Sequence, residues 1–141
     1  MFSSVVSNPA FAKEIQDVWT QFLPNLPDYE VIEKHMPYIF QDYLLLINKF
    51  KSRGGKIIFI RHKAEANWNI HIQGFLPRAK VWDVFIGMVD CPSYHFEDYE
   101  FMSKYTLPDW SHMNSEDAIS YTKDMVNKMI DDGYLINMKT N

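Results

Sequence analysis

The stretch Lys56-Ile57-Ile58-Phe59-Ile60-Arg61-His62-Lys63-Ala64-Glu65-Ala66-Asn67-Trp68-Asn69-Ile70-His71-Ile72-Gln73-Gly74-Phe75 decides how the chain is read. In its first part Ile58 and Ile60 alternate with Phe59 and Arg61. In its second, Trp68, Ile70 and Ile72 alternate with Asn69, His71 and Gln73. Alternation with a period of two marks strands with one covered face. The link over 63–67 is short enough for a hairpin. Setting His62 opposite Trp68 places Ile60 against Ile70 and Ile58 against Ile72, which yields one apolar face. The other face then carries Phe59 and Arg61 beside Asn69, His71 and Gln73. A slip of one residue would scramble both faces, so the pattern favours this register.

Upstream the period lengthens. Asn8-Pro9 reads as a cap followed by proline at the first helical position. Phe11, Ile15, Val18, Trp19 and Phe22 then fall on one helical stripe, which Pro24 and Pro27 stop. A second helical stretch starts near Asp28, with Pro37 kinking it or opening a new helix. Ile39, Phe40, Tyr43, Leu44, Ile47 and Phe50 form a broad apolar face. Lys49, Lys51 and Arg53 suit the helix C-terminus, and Gly54-Gly55 supplies a left-handed cap.

Downstream, Lys80 to Asp90 favours a strand by its Val, Ile and aromatic content, although Val81, Phe85, Met88 and Val89 also fit a helical stripe. Tyr94 to Phe101 reads as a further strand, and 103–114 as a loop. A last helix is capped by Asn114, with Asp117 answering back. Its apolar face is Ile119, Thr122, Met125, Val126, Met129 and Ile130, and Gly133 ends it. Tyr134 to Met138 reads as an edge strand. The expected fold is therefore α+β: N-terminal helices, a central antiparallel meander of three to four strands, and a C-terminal helix packed on the sheet. The whole of 1–141 reads as a single globular domain.

Composition narrows the function classes. One cysteine, Cys91, cannot close an internal disulfide. Met1 to Val6 has no basic, apolar leader pattern, and Leu44-Leu45-Leu46-Ile47 is the longest apolar run, far short of a membrane span. These features predict a cytoplasmic protein that does not enter a membrane. No phosphate-binding glycine loop, dinucleotide fingerprint or serine elbow is present, and the five histidines lack helical metal spacing. No catalytic residue, metal site or cofactor is expected from motifs.

Two surfaces remain as candidates. The string Tyr94, Phe96, Glu97, Asp98, Tyr99 and Glu100, with Trp110 nearby, combines aromatic contact area with carboxylates that could steer a basic protein partner. The polar hairpin face of Phe59, Arg61, Asn69, His71 and Gln73 could hold a phosphorylated or nucleotide-like anion, with Arg61 as the charged fork and His71 as acid or base. Residues 49–80 hold eight Lys/Arg against Glu65 alone, whereas 81–141 hold four Lys/Arg and eleven Asp/Glu. Such a dipolar chain could form a homodimer, basic region to acidic region. The basic segment could also bind nucleic acid, a reading that the acidic second half disfavours. The leading expectation is a non-enzymatic binding protein, such as an inhibitor, immunity or accessory factor, acting through a macromolecular interface.

Overall fold

A computed structural model describes residues 8–136, and they are mostly helical. Helix α1 (Pro9–Phe22) starts on Asn8, whose side chain accepts from the Ala10 N–H at 3.0 Å. A 3-10 turn at Leu23–Asn25 follows, in keeping with the proline at 24. After the short α2 (Tyr29–Ile32) and a second 3-10 turn (Glu33–His35), α3 runs from Met36 to Lys51. Pro37 sits in its first turn, where a missing N–H costs nothing. Gly54, at φ +82°, then turns the chain in the left-handed conformation that glycine adopts without strain.

The antiparallel meander expected from 56–101 is not formed among the described residues. Strands β1 (Phe59–Arg61) and β2 (Ser93–His95) instead make a two-stranded parallel sheet, pairing Phe59 with Ser93, Ile60 with Tyr94 and Arg61 with His95. A parallel pair needs a long crossover, and α4 (Ala66–Phe75) and α5 (Trp82–Met88) supply it. The expected strand at 68–75 is thus α4, and the expected strand at 80–90 contains α5. The expected strand at 94–101 shrinks to Ser93–His95, followed by a turn and the short helix α6 (Glu100–Ser103).

The reason lies in which residues separate the two periods. Trp68 and Ile72 fit a strand face and also lie four apart on a helix, where Phe75 and Leu76 extend their stripe. Ile70 is the apolar residue that only a strand would bury, and it is 66% exposed. In α5 the helical spacing prevails too: Phe85 packs inward with Val81, while Val84 is exposed.

Helix α7 (Ser115–Asp131) begins and ends as its caps dictate. Asn114 Oδ1 accepts from the Asp117 N–H at 2.7 Å, and Asn114 Nδ2 donates to Asp117 Oδ2 at 2.6 Å. Past Gly133, at φ +77°, the Tyr134 N–H donates to the Met129 carbonyl at 2.9 Å. Its buried stripe is Tyr121, Met125 and Met129, spaced four apart; Ile119, Thr122 and Val126, expected inside, are exposed. Residues 134–136 form no strand; the remainder of the Tyr134–Met138 segment, like Met1 to Val6, lies outside the described residues. No helix among the described residues is long and apolar enough to cross a membrane.

The sheet parts two apolar clusters. Ile58, Ile60, Tyr94 and Phe96 join Met102, Tyr105 and the buried stripe of α7 in the larger one. Tyr29, Met36 and Phe40 form the smaller one, with Leu76, Val81 and Phe85 against it. Alternation in β1 therefore holds as expected, even though its neighbour is different.

The exposure of Ile70 gives a direct test of helix against hairpin. Ile70→Glu is expected to change unfolding free energy by no more than about 0.5 kcal/mol, as for an ordinary surface site. A loss of several kcal/mol in urea unfolding would put Ile70 inside and contradict α4.

Candidate functional site

Alternation on β1 turns Phe59 and Arg61 away from the larger core, and the parallel register sets His95 beside Arg61. Residues from α3, α4 and α5 face these three side chains across a cleft of about 790 Å³. Phe85 is its aromatic centre, with ring centroids at 5.4 Å from Phe40, 5.5 Å from Phe59 and 6.1 Å from Tyr43. The walls are mainly aliphatic and aromatic, and polar groups enter from His35, Arg61, Gln73, Arg78 and His95. Among the described residues no Ser, Thr, Cys, Lys, Asp or Glu lines it.

The two arginines are held differently. Arg78 is engaged: it donates to Asp83 at 3.2 Å, to Glu97 at 3.1 Å and to Asp98 at 2.7 Å. Partial desolvation works against its charge, but these hydrogen bonds, that to Asp98 foremost, prevail and raise its pKa. The clip ties the start of α5 to the turn after β2, and Gln73 adds a bond to Glu97 at 3.3 Å. The Arg61 side chain, by contrast, makes no hydrogen bond or ion pair with any described residue. Burial lowers its pKa, with the field of Glu97 acting the other way. A guanidinium remains protonated under such a shift, so a half-buried cation paired with no described residue faces an apolar cleft.

His95 is 3% exposed. Its Nδ1 accepts from the Glu97 N–H at 3.2 Å, which leaves the proton of the neutral ring on Nε2. Burial, then the positive charge of Arg78, hold its pKa below the ordinary histidine value. Trp82 meets the ring edge-on at 5.3 Å and Phe96 stacks on it at 4.8 Å. The ring is thus fixed as a neutral donor next to a fixed cation.

Of the polar face expected from the sequence, Phe59, Arg61 and Gln73 line the cleft, whereas Asn69 and His71 do not. Asn69 Oδ1 is buried with no hydrogen-bond partner among the described residues, as is Nε1 of Trp19, whose ring meets Trp68 at 4.2 Å. The acidic and aromatic string is dispersed. Tyr94 and Phe96 are buried in the larger core, so their rings offer no contact area. Glu97 and Asp98 are committed to Arg78; Tyr99 packs against Tyr94 at 5.4 Å; Glu100 is exposed at the start of α6. Trp110 is half-buried in a separate loop, with φ +72°, and its carbonyl accepts from the Glu65 N–H at 3.0 Å. The seven residues do not form one outward face.

Much of the basic segment is neutralised within the chain. Lys51 pairs with Asp90 at 3.7 Å, Lys80 with Glu30 at 3.6 Å, and Lys63 with Glu65. Sequence reasoning missed Arg78, Trp82, Phe85 and His95 as site residues. The helical spacing of Val81 and Phe85 was the available signal for the α5 wall.

A second cavity of about 450 Å³ lies between His62, His112 and Tyr121. Beside it Asp109, fully buried, accepts from the N–H groups of Ser111 at 3.0 Å and His112 at 2.7 Å, and contacts His112 Nδ1 at 2.7 Å. Ser111 Oγ approaches that same nitrogen at 2.8 Å. A serine relay needs the hydroxyl and the carboxylate on opposite ring nitrogens, so this trio pins a turn and does not activate Ser111. Burial alone would raise the Asp109 pKa; the hydrogen bonds from His112 and from the backbone outweigh it and keep the carboxyl low. Among the described residues no three His, Cys, Asp or Glu side chains gather as a metal site.

The sequence matches no protein-family model, and neither curated proteins nor solved structures yield a match to the chain.

His95 and His62 both have lowered pKa values, each chiefly through burial. The unfolded chain therefore binds protons first as pH falls. Stability should be full above about pH 6.5 and decline below it, toward the lower folded values. His95→Gln should flatten the decline between pH 7 and 5 in urea unfolding; an unchanged slope would show that His95 is not held neutral.

Proposed function

We propose that the protein binds a small amphipathic anion, whose apolar body fills the cleft and whose carboxylate or phosphate group meets Arg61. The observation that carries this reading is the Arg61 guanidinium, desolvated by an apolar cleft and paired with no described residue. An uncompensated cation in such a place is costly, and a ligand anion would offset that cost with charge-assisted hydrogen bonds. His95 Nε2–H would add a neutral donor beside it. The volume and the few convergent polar groups are those of small-molecule sites, which commonly span about 300–1,000 Å³. Binding is favoured over covalent chemistry because, among the described residues, the lining offers no Ser, Thr, Cys, Lys, Asp or Glu, only the phenol of Tyr43 and the imidazoles of His35 and His95. A second reading, contact with a macromolecule, is supported by apolar exposure along α3, developed below.

Titration calorimetry with dodecanoate and with dodecanol separates the head group from the chain. Dodecanoate is expected to bind saturably and Arg61→Ala to weaken it about tenfold or more, the weight of a hydrogen bond to a charged group. Dodecanol binding should change little. If neither compound binds, or if Arg61→Ala leaves dodecanoate affinity intact, the proposal is wrong.

A further inference from the structure

Helix α3 carries an outward face that the described residues do not cover. Met36, Phe40 and Ile47 are buried, and Gln41 and Asn48, with Pro37, form an exposed strip. The rest of the circumference exposes Tyr38 by 70%, Leu45 and Leu46 by 63% each, and Phe50 by 51%, with Ile39 and Tyr43 at the border of the cleft. Among these apolar residues stand two charges, Asp42 and Lys49. They are seven positions apart, neither makes an ion pair with a described residue, and both are exposed. Arg53, just past the helix, is likewise exposed and unpaired.

The positions of these residues obey a symmetry. Asp42 and Lys49 are equally distant from the midpoint between Leu45 and Leu46, and so are Tyr38 and Arg53. At 100° per residue, Asp42 and Lys49 lie within about 20° of each other on the helix, between Leu45 on one side and Leu46 on the other. An antiparallel copy of α3 centred on that midpoint would therefore set Asp42 against Lys49 of the partner subunit, twice. Leu45 and Leu46 of the two copies would pack together about the two-fold axis. A two-fold contact needs such self-complementarity, each residue finding its counterpart on the same patch of the other chain. Opposite charges at mirrored positions fix the antiparallel register, since a parallel pairing would oppose like charges.

We infer that the protein forms a two-fold homodimer through antiparallel α3 helices, with Leu45 and Leu46 at the centre and Asp42–Lys49 pairs flanking it. This surface is distinct from the basic-to-acidic pairing that net charge suggests, because α3 supplies both signs itself. Its two ends differ in role: Leu46 supplies apolar area, and the charged pairs supply register.

Sedimentation velocity over a concentration series tests it. The wild-type chain should dimerise, and Leu46→Glu should abolish the dimer while circular dichroism keeps the native helical signal, the side chain being exposed. Asp42→Lys and Lys49→Asp should each weaken the dimer about tenfold by opposing like charges, and the double exchange should recover most of the loss. A wild-type chain that stays monomeric at all concentrations overturns the inference; if that monomer floats with vesicles of anionic lipid, the face belongs to a membrane surface. A dimer that ignores Leu46→Glu, or a double exchange no better than the single ones, also overturns it.

Discussion

Three residue pairs, Phe59–Ser93, Ile60–Tyr94 and Arg61–His95, hold the molecule's two halves in register. The ladder is closed at its ends by the Phe59 N–H donating to the Pro92 carbonyl at 2.9 Å and the Phe96 N–H donating to the Arg61 carbonyl at 3.1 Å. Because strand side chains alternate, this one pairing sorts everything beside it. Ile60 and Tyr94 go to the core that α7 covers, while Phe59, Arg61 and His95 go to the cleft. A parallel pair of this length could not stand alone in water. It persists because both of its faces are used, one by packed aromatic and methionine side chains, the other by the aromatic cluster around Phe85.

The same pairing explains why the cleft is charged on one wall only. His95 cannot take up the role of counter-ion for Arg61, since it is itself neutral and its Nδ1 is spent on the Glu97 N–H. Glu97 cannot either, since its carboxylate answers Arg78 and Gln73. Arg78 takes the hydrogen bonds of three carboxylates, and Arg61 feels Glu97 only through its field. One arginine is thus structural and the other left available, an assignment made by the turn after β2 and not by any difference in the residues themselves.

Legibility in the sequence followed the uniqueness of each pattern. Caps were readable because their chemistry is local: Asn8, Asn114, Gly54 and Gly133 act where they stand. The faces of β1 were readable because Ile58 and Ile60 cannot share a helical face with each other. The 68–75 segment was misread because Trp68 and Ile72 serve a strand and a helix equally well, and the deciding residue, Ile70, is apolar yet exposed. Within the site, Arg61, Phe59 and Gln73 were singled out for a sheet face that does not exist, and two of the three still meet there through β1. His95 and Arg78 were hidden, since their positions depend on a crossover whose parallel sense no local pattern encodes. The acidic and aromatic string failed as a surface for a related reason: Tyr94 and Phe96 share the alternation that buries them, and only the sheet partner reveals which face is inside.

Apolar exposure on α3 and apolar lining of the cleft arise from one cause. The chain places large side chains around most of that helix, but the described fold covers only the Met36, Phe40 and Ile47 side. Ile39 and Tyr43 stand between the two regions, touching the cleft and still substantially exposed. Covering the outer face would therefore also wall the cleft more completely, raising the electrostatic weight of Arg61 by excluding water from around it. Exposure of apolar side chains there is consistent with an interface and a ligand site built on the same helix, each made stronger by the other's closure. Separate variants can still divide them, because Arg61 lies on β1 and Leu46 points away from it.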